Sequence, residues 1–152
     1  MIEMTPEMHA SCVKAVTDGP IKYLNVAGVV PEVIEPNHVV FKLPFGDMHV
    51  NHIGIVYAGS YLCFAESAGA TLLKCVYGNA YTPMLKSVNI DYLKPGTKDL
   101  VIDLSMTDEE AAERIAYVNE RGRGRYPMEI MVKDADGENI AKVDIVYYLI
   151  KK

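Results

Sequence analysis

Between Asn51 and Gly69 the sequence reads NHIGIVYAGSYLCFAESAG, and Glu66 is the only carboxylate in it. An isolated carboxylate loses several kcal/mol of hydration when taken out of water, so a group in such a setting is paired, solvent-facing or employed. Paired, it would meet a basic group such as Lys86 or Lys94. Employed, it is a general base or a nucleophile whose pKa is set by a partly dry site. Composition leaves these readings open.

Other residues in the chain suggest different chemistry and support it less well. His49 and His52 have the spacing of a metal pair, but catalytic zinc needs a third ligand and the sequence offers none, so no metal is expected. Ala58-Gly59-Ser60 lacks the Gly-x-Ser-x-Gly elbow of a serine hydrolase. Cys12, Cys63 and Cys75 form no CxxC pair, which argues against a disulfide framework or a zinc ribbon and for a reducing compartment. Cys63 and Cys75 sit on the apolar helix and read as packing residues. RGRGR, from Arg121 to Arg125, reads as a short charged turn after a helix, solvated or holding a small anion.

These groups must be positioned by a chain of 152 residues, half of them hydrophobic, which suits a single domain over 1–152. A formal charge of -5 works against affinity for phosphate backbones, so nucleic acid is not an expected partner. No signal or transit peptide is readable, and a cytoplasmic location is expected. Apolar spacing predicts a helix from Pro6 to Thr17, within an N-terminal helical segment 1–20. Val29–Glu35 and Val39–Phe45 read as a hairpin about Pro36-Asn37. Tyr57–Tyr77 reads as a helix roughly 31 Å long, buried nearly all round. Glu66 and the small polar residues of that stretch argue against a membrane span. Lys86–Leu93, Leu100–Met106, Met128–Asp134 and Ile140–Ile150 have strand composition, the last two joined by a tight turn at Asp134–Gly137. Between them lies a surface segment, 107–124, with a helix at Asp108–Glu120, a Thr107/Glu110 capping box and a stop at Gly122. The sheet is expected to be mostly antiparallel. A helix apolar on all sides needs a sheet curled around it, or a second subunit over what the sheet leaves bare.

Asn51, Gly54, Tyr57, Ala58, Gly59 and Glu66 resemble, position for position, the motif of the hotdog-fold acyl-CoA thioesterases of the PaaI-like type. That motif reads Asn-x-x-Gly-x-x-His-Gly-Gly, with an acidic residue seven positions after the last glycine. SVNIDYLKP (Ser87–Pro95) and the segment around Asp136-Gly137-Glu138 and Ala141 resemble the same family's strands, so the likeness runs from Val29 to Ile150. The Thr107–Gly124 segment is similar to a sub-branch long catalogued as a domain of unknown function. The resemblance implies an α+β hotdog fold, a curved antiparallel sheet wrapped around a long central helix.

It also implies an acyl-CoA thioesterase with no cofactor beyond the coenzyme A of its substrate. Amides at Ala58 and Gly59 would stabilise an oxyanion at the helix N-terminus. Glu66 would activate water or attack directly, and Asn51 would orient water or thioester. Gly54 would help bind substrate, Tyr61 and Leu62 line either core or a substrate-binding acyl pocket, and Lys94, Arg121, Arg123 or Arg125 would meet the coenzyme A phosphates. Two departures stand out: Tyr57 replaces the family's histidine, and Ala58 replaces the first glycine of its pair. They keep a second reading open, a non-catalytic hotdog that binds acyl-CoA or lipid as a sensor. A hotdog dehydratase lacks its histidine beside Glu66.

Eight residues separate Ala58 from Glu66, about 12 Å along a helix, too far to flank one carbonyl. If both act on one thioester, they come from two subunits. The resemblance agrees, implying a homodimer and leaving a dimer of dimers open.

Overall fold

The computed structural model describes residues 3–152. In chain order they form α1 (Pro6–Thr17), α2 (Lys22–Ala27), β1 (Val30–Glu35), β2 (His38–Leu43), α3 (Ala58–Tyr77) and β3 (Tyr81–Tyr92). These are followed by β4 (Leu100–Ser105), α4 (Asp108–Arg121), β5 (Arg123–Asp134) and β6 (Asn139–Lys151). All six strands share one sheet in the order β1-β2-β4-β5-β6-β3, and every pairing is antiparallel. The sheet curves around α3, the hotdog arrangement that the resemblance implies.

Alternation decides which face of the sheet is inside. On β5, Gly124, Tyr126, Met128, Ile130 and Val132 are buried, and on β6 so are Val143, Ile145, Tyr147 and Leu149; their neighbours face outward. Against this inner face α3 packs Phe64, Ala65, Ala68, Leu72 and Cys75. Gly69 permits the approach: a methyl group there would collide with the Tyr147 hydroxyl and crowd Ile130. That hydroxyl instead donates to the Glu66 carbonyl at 2.9 Å, tying the middle of the helix to the sheet.

The structure differs from the sequence reading in four places. First, α3 is not buried all round. Gly59, Leu62, Cys63, Glu66, Ala70 and Lys74, at helical spacing, form a stripe that this chain leaves partly open. Second, α2 was not anticipated, being a six-residue helix without a side-chain cap. Burial of Leu24 and Ala27, with hydrogen bonds between Asn25 and Gly19 and from His49 to the Ala27 carbonyl, holds it, because so short a helix is not stable alone. Third, β3 begins at Tyr81, not Lys86. Pro83 hides the strand from a sequence reading, yet an edge strand tolerates a residue without N–H. Fourth, RGRGR is not a turn: Arg121 ends α4, Gly122 closes it at φ 71°, and Arg123 and Arg125 already belong to β5. Gly124 sits under Tyr117 and Val118 of α4, where a side chain would not fit.

The predicted capping box is present in full. Thr107 Oγ1 accepts from the Glu110 amide, and the Glu110 carboxylate accepts from the Thr107 amide.

Candidate active site

The loop before α3 is built by hydrogen bonds. Val50 and Val56 bridge across it, the Asn51 amide donates to the Ile55 carbonyl at 2.8 Å, and Gly54 turns the chain at φ 80°, a conformation that favours glycine. Asn51 Oδ1 accepts from the amides of Ile53 (3.0 Å) and Ile55 (3.3 Å). The side-chain oxygen of Asn51 is thus committed to the loop, and its Nδ2 is the group left for a ligand.

The loop delivers the chain to Tyr57, the N-cap of α3, which makes no side-chain capping bond. Tyr57 donates its amide to the His49 carbonyl at 2.7 Å and Ser60 donates to Tyr57 at 3.0 Å. Between them, the amides of Ala58 and Gly59 have no acceptor among the described residues. Two N–H groups at the positive end of a 20-residue helix suit an oxyanion. Tyr92 Oη donates to the Ala58 carbonyl at 3.0 Å and so holds the peptide that carries the Gly59 amide. The Tyr57 ring lies against Gly59, leaving no room for a Cβ there. A cleft opens beside this tip, bordered by Asn51, Ala58, Tyr61, Tyr92, Lys94 and Gly96.

Tyr61 is 2 % exposed and packs edge-on against Tyr92, with ring centroids 5.3 Å apart. Burial, then the neighbouring Tyr92, raises its pKa above the usual tyrosine value. Lys94 is ion-paired with Glu138 of the β5–β6 turn.

Glu66 lies two turns further along α3, half-buried, with no cation pairing it among the described residues. Neither sequence candidate reaches it: Lys94 pairs with Glu138, and Lys86 lies over the Tyr148 ring. Its cleft is apolar, lined by Ile21, Leu24, Leu62, Cys63 and Leu85. Loss of hydration there raises the Glu66 pKa above the ordinary glutamate value. The same burial, then the Glu66 charge, pushes the Cys63 thiol up to about 11, leaving it protonated and unreactive at neutral pH.

Within one chain Asn51 and Ala58 border one cleft and Glu66 another, and Gly59, the second residue of the helix, lines the Glu66 cleft. The residues expected to meet phosphate also part company. Thr82 pairs with Ile150, which pairs with Arg123, whereas Tyr92 pairs with Ala141. Ten residues of β3 therefore separate Arg123 from the Tyr92–Lys94 end, about 33 Å at strand rise. Arg121 stacks on Tyr117 of α4, 4.7 Å from its ring centroid.

Two contributors were missed in the sequence. Tyr92, within SVNIDYLKP, carries no local signal of a role, because its contact with Ala58 joins residues 34 apart. His49 is buried; its Nε2 donates to the Ala27 carbonyl at 2.6 Å and its Nδ1 faces Ser60 Oγ at 3.0 Å. It ties the end of α2 to the first turn of α3, a structural job. No group of three or more metal-ligating side chains gathers among the described residues, and no described helix is long and apolar enough to cross a membrane.

Residues 12–149 match the family described as a domain of unknown function, DUF4442. No curated protein matches the chain. Among solved structures, the chain is similar to a Pseudomonas aeruginosa protein of unknown function called a probable thioesterase, at 26% identity and TM-score 0.86, covering 95% of this chain and 96% of that one. A Chlorobaculum tepidum protein of unknown function aligns at 17% identity and TM-score 0.79, covering 98% of each chain. A variant thioesterase from Pseudomonas aeruginosa aligns at 13% identity and TM-score 0.67, covering 96% of this chain and 93% of that one. The last two likenesses concern the fold alone.

Proposed function

The chain belongs to that family of unknown function, DUF4442, and we propose that it hydrolyses acyl-CoA thioesters as a homodimer with two composite sites. The observation that carries this reading is the pairing of opposites on α3: acceptor-free amides at its tip, and an unpaired, partly dehydrated carboxylate in its open stripe. A thioesterase name on a solved structure 26% identical over nearly the full length supports the reaction class.

In the proposed site the thioester carbonyl of the substrate rests on the Ala58 and Gly59 amides of one subunit. Glu66 of the other takes a proton from water as the water oxygen bonds to the carbonyl carbon. The tetrahedral intermediate collapses, the C–S bond breaks, and the thiolate recovers the proton from Glu66. Direct attack by Glu66 would instead pass through a mixed anhydride, and water adding to the Glu66 carbonyl carbon of that anhydride would place solvent ¹⁸O in the Glu66 carboxylate. Asn51, through Nδ2, and Tyr61 border the carbonyl; Gly54 shapes the loop; Leu62 lines the acyl path. The raised pKa of Glu66 makes its carboxylate a stronger base than an exposed glutamate.

Dimerisation is supported by what one chain leaves open. β3 is a twelve-residue strand with an unpaired edge, and its inward-facing Leu85 and Tyr92 are 44% and 51% exposed beside the open stripe of α3. The substrate pool assumed is cytoplasmic.

The test measures thiol release from a panel of acyl-CoA esters by wild type and Glu66→Gln. Turnover by wild type that falls by a factor of about 10² or more in the variant, with substrate binding retained, supports the proposal. The Tyr57 ring against Gly59 favours a second reading, a binder that crowds its own oxyanion site. Tight binding without turnover in either protein selects it.

A further inference from the structure

The chain carries five more acidic than basic residues, yet one corner of its sheet holds cations with no acid beside them. On the outer face, Arg125 pairs in register with Tyr148, and Arg123 with Ile150. Their Cα atoms are about 7 Å apart along β5. On the other side of Tyr148, β3 contributes Lys86 from the irregular step between Leu85 and Ser87, its Nζ 6.0 Å from the Tyr148 ring centroid. Two strand spacings, about 10 Å, separate Lys86 from the arginines. Arg123 and Arg125 are exposed, and none of the three is ion-paired among the described residues. Elsewhere on the same face the charges cancel: Lys142 lies between Glu129 and Asp144.

The corner stands at the level of Glu66. Tyr147, whose hydroxyl holds the Glu66 carbonyl, precedes Tyr148 and faces the other way. A groove lined by Lys74, Tyr77, Asn79, Thr82, Pro83 and Lys152 runs around this end of β3. Lys74 also borders a cleft that contains Glu66. From Leu85 to Tyr81 the path is about 13 Å along the strand.

We propose that Arg123, Arg125 and Lys86, set around the Tyr148 ring, bind the phosphates of the thioester's nucleotide carrier, with the adenine against the tyrosine. Three unpaired cations beside an aromatic face suit a nucleotide bearing several phosphates. This rests on the thioesterase reading for the identity of the carrier. Lys94 and Arg121 lie outside the site, the first paired with Glu138 and the second stacked on Tyr117.

The probe is adenosine 3′,5′-bisphosphate, titrated calorimetrically into wild type, the double variant Arg123→Gln/Arg125→Gln, and Lys133→Gln. Lys133 is an exposed, unpaired cation near the far end of the same strand. Binding by wild type that weakens at least tenfold in the double variant, weakens with salt, and is unchanged in Lys133→Gln supports the site. In turnover, the double variant should raise KM about tenfold for an acyl-CoA and leave KM unchanged for the same acyl group on N-acetylcysteamine, with kcat constant for both. No bisphosphate binding by wild type, equal loss in Lys133→Gln, or equal KM changes for the two esters would overturn it. Binding is read without turnover, so a chain that binds the bisphosphate at this corner and hydrolyses nothing would sink the thioesterase reading and leave the site standing.

Discussion

The tip of α3 and its middle solve different problems with different materials. At the tip, the proposed chemistry rests on backbone: two amides left free among the described residues, an asparagine spent on shaping the loop, and a glycine at φ 80°. In the middle, it rests on a side chain and its surroundings, a glutamate among Ile21, Leu24, Leu62 and Leu85 that forms no ion pair among the described residues. A backbone site depends on rigidity, whereas a desolvated acid depends on what covers it. The contrast teaches that the two should fail differently, the tip through strain and the middle through charge.

The largest expected effect comes from recombining the two halves. Glu66→Ala and Asn51→Ala should each be nearly inactive alone. Mixed with subunit exchange, half of the dimers are hybrids, each with one intact site, so about a quarter of wild-type activity should return. Silence after exchange has been verified by mass spectrometry would mean that the halves do not meet across a dimer.

Next in size is Gly54→Val. A β-branched residue at positive φ stores about 1–3 kcal/mol of strain. The loop should loosen, with a fall in kcat and a melting temperature lower by several degrees, and an unchanged melting curve would show that the loop does not need its left-handed turn.

A smaller effect, opposite in sign, is expected at Glu66. Burial raises its pKa above the ordinary 4.5, so the folded chain holds this proton more tightly than the unfolded one. The folded state is favoured below 4.5 and loses stability as the pH climbs through the raised value. Glu66→Gln should therefore melt above wild type at neutral pH, with the two curves converging below pH 4.5. A variant less stable at pH 7 would argue that a partner compensates the charge. Wild-type turnover should rise with pH across the same interval, as the base deprotonates.

The smallest effect is Tyr92→Phe, which deletes one hydrogen bond to the Ala58 carbonyl, about 0.5–1.5 kcal/mol. A severalfold drop in kcat at constant KM would place that bond in the alignment of the Gly59 amide. A change in KM alone would restrict Tyr92 to lining the cleft.

What the sequence disclosed follows the same division. The tip was legible because its signals are local: Asn51, Gly54 and the start of α3 stand within eight residues, and hydrogen bonds at that range leave a fixed spacing. The α4 capping box was legible for the same reason. Glu66 was legible only as an anomaly, since the residues that dry it arrive from α2 and β3. Of these, α2 has no sequence signal, being a six-residue helix held by the burial of Leu24 and Ala27 and by contacts to Gly19 and His49. RGRGR misled because glycine and charge together read as a turn, whereas Gly124 is there to admit Tyr117 and Val118, and the arginines face outward from a strand. The role of Tyr92 spans 34 residues and left no local trace.

The two borders of the sheet have different growth potential. At one end, β1 is six residues long, carries Pro31 and slips register beside it; at the other, β3 is twice as long, with its irregularities confined to Pro83 and the step after Leu85. In the proposed dimer a second copy on the longer border leaves only the short, blunted one outside, which works against lengthening into a fibre. Dilution of such a dimer would reverse that protection, parting Glu66 from the proposed partner amides and baring the longer border strand in the same step.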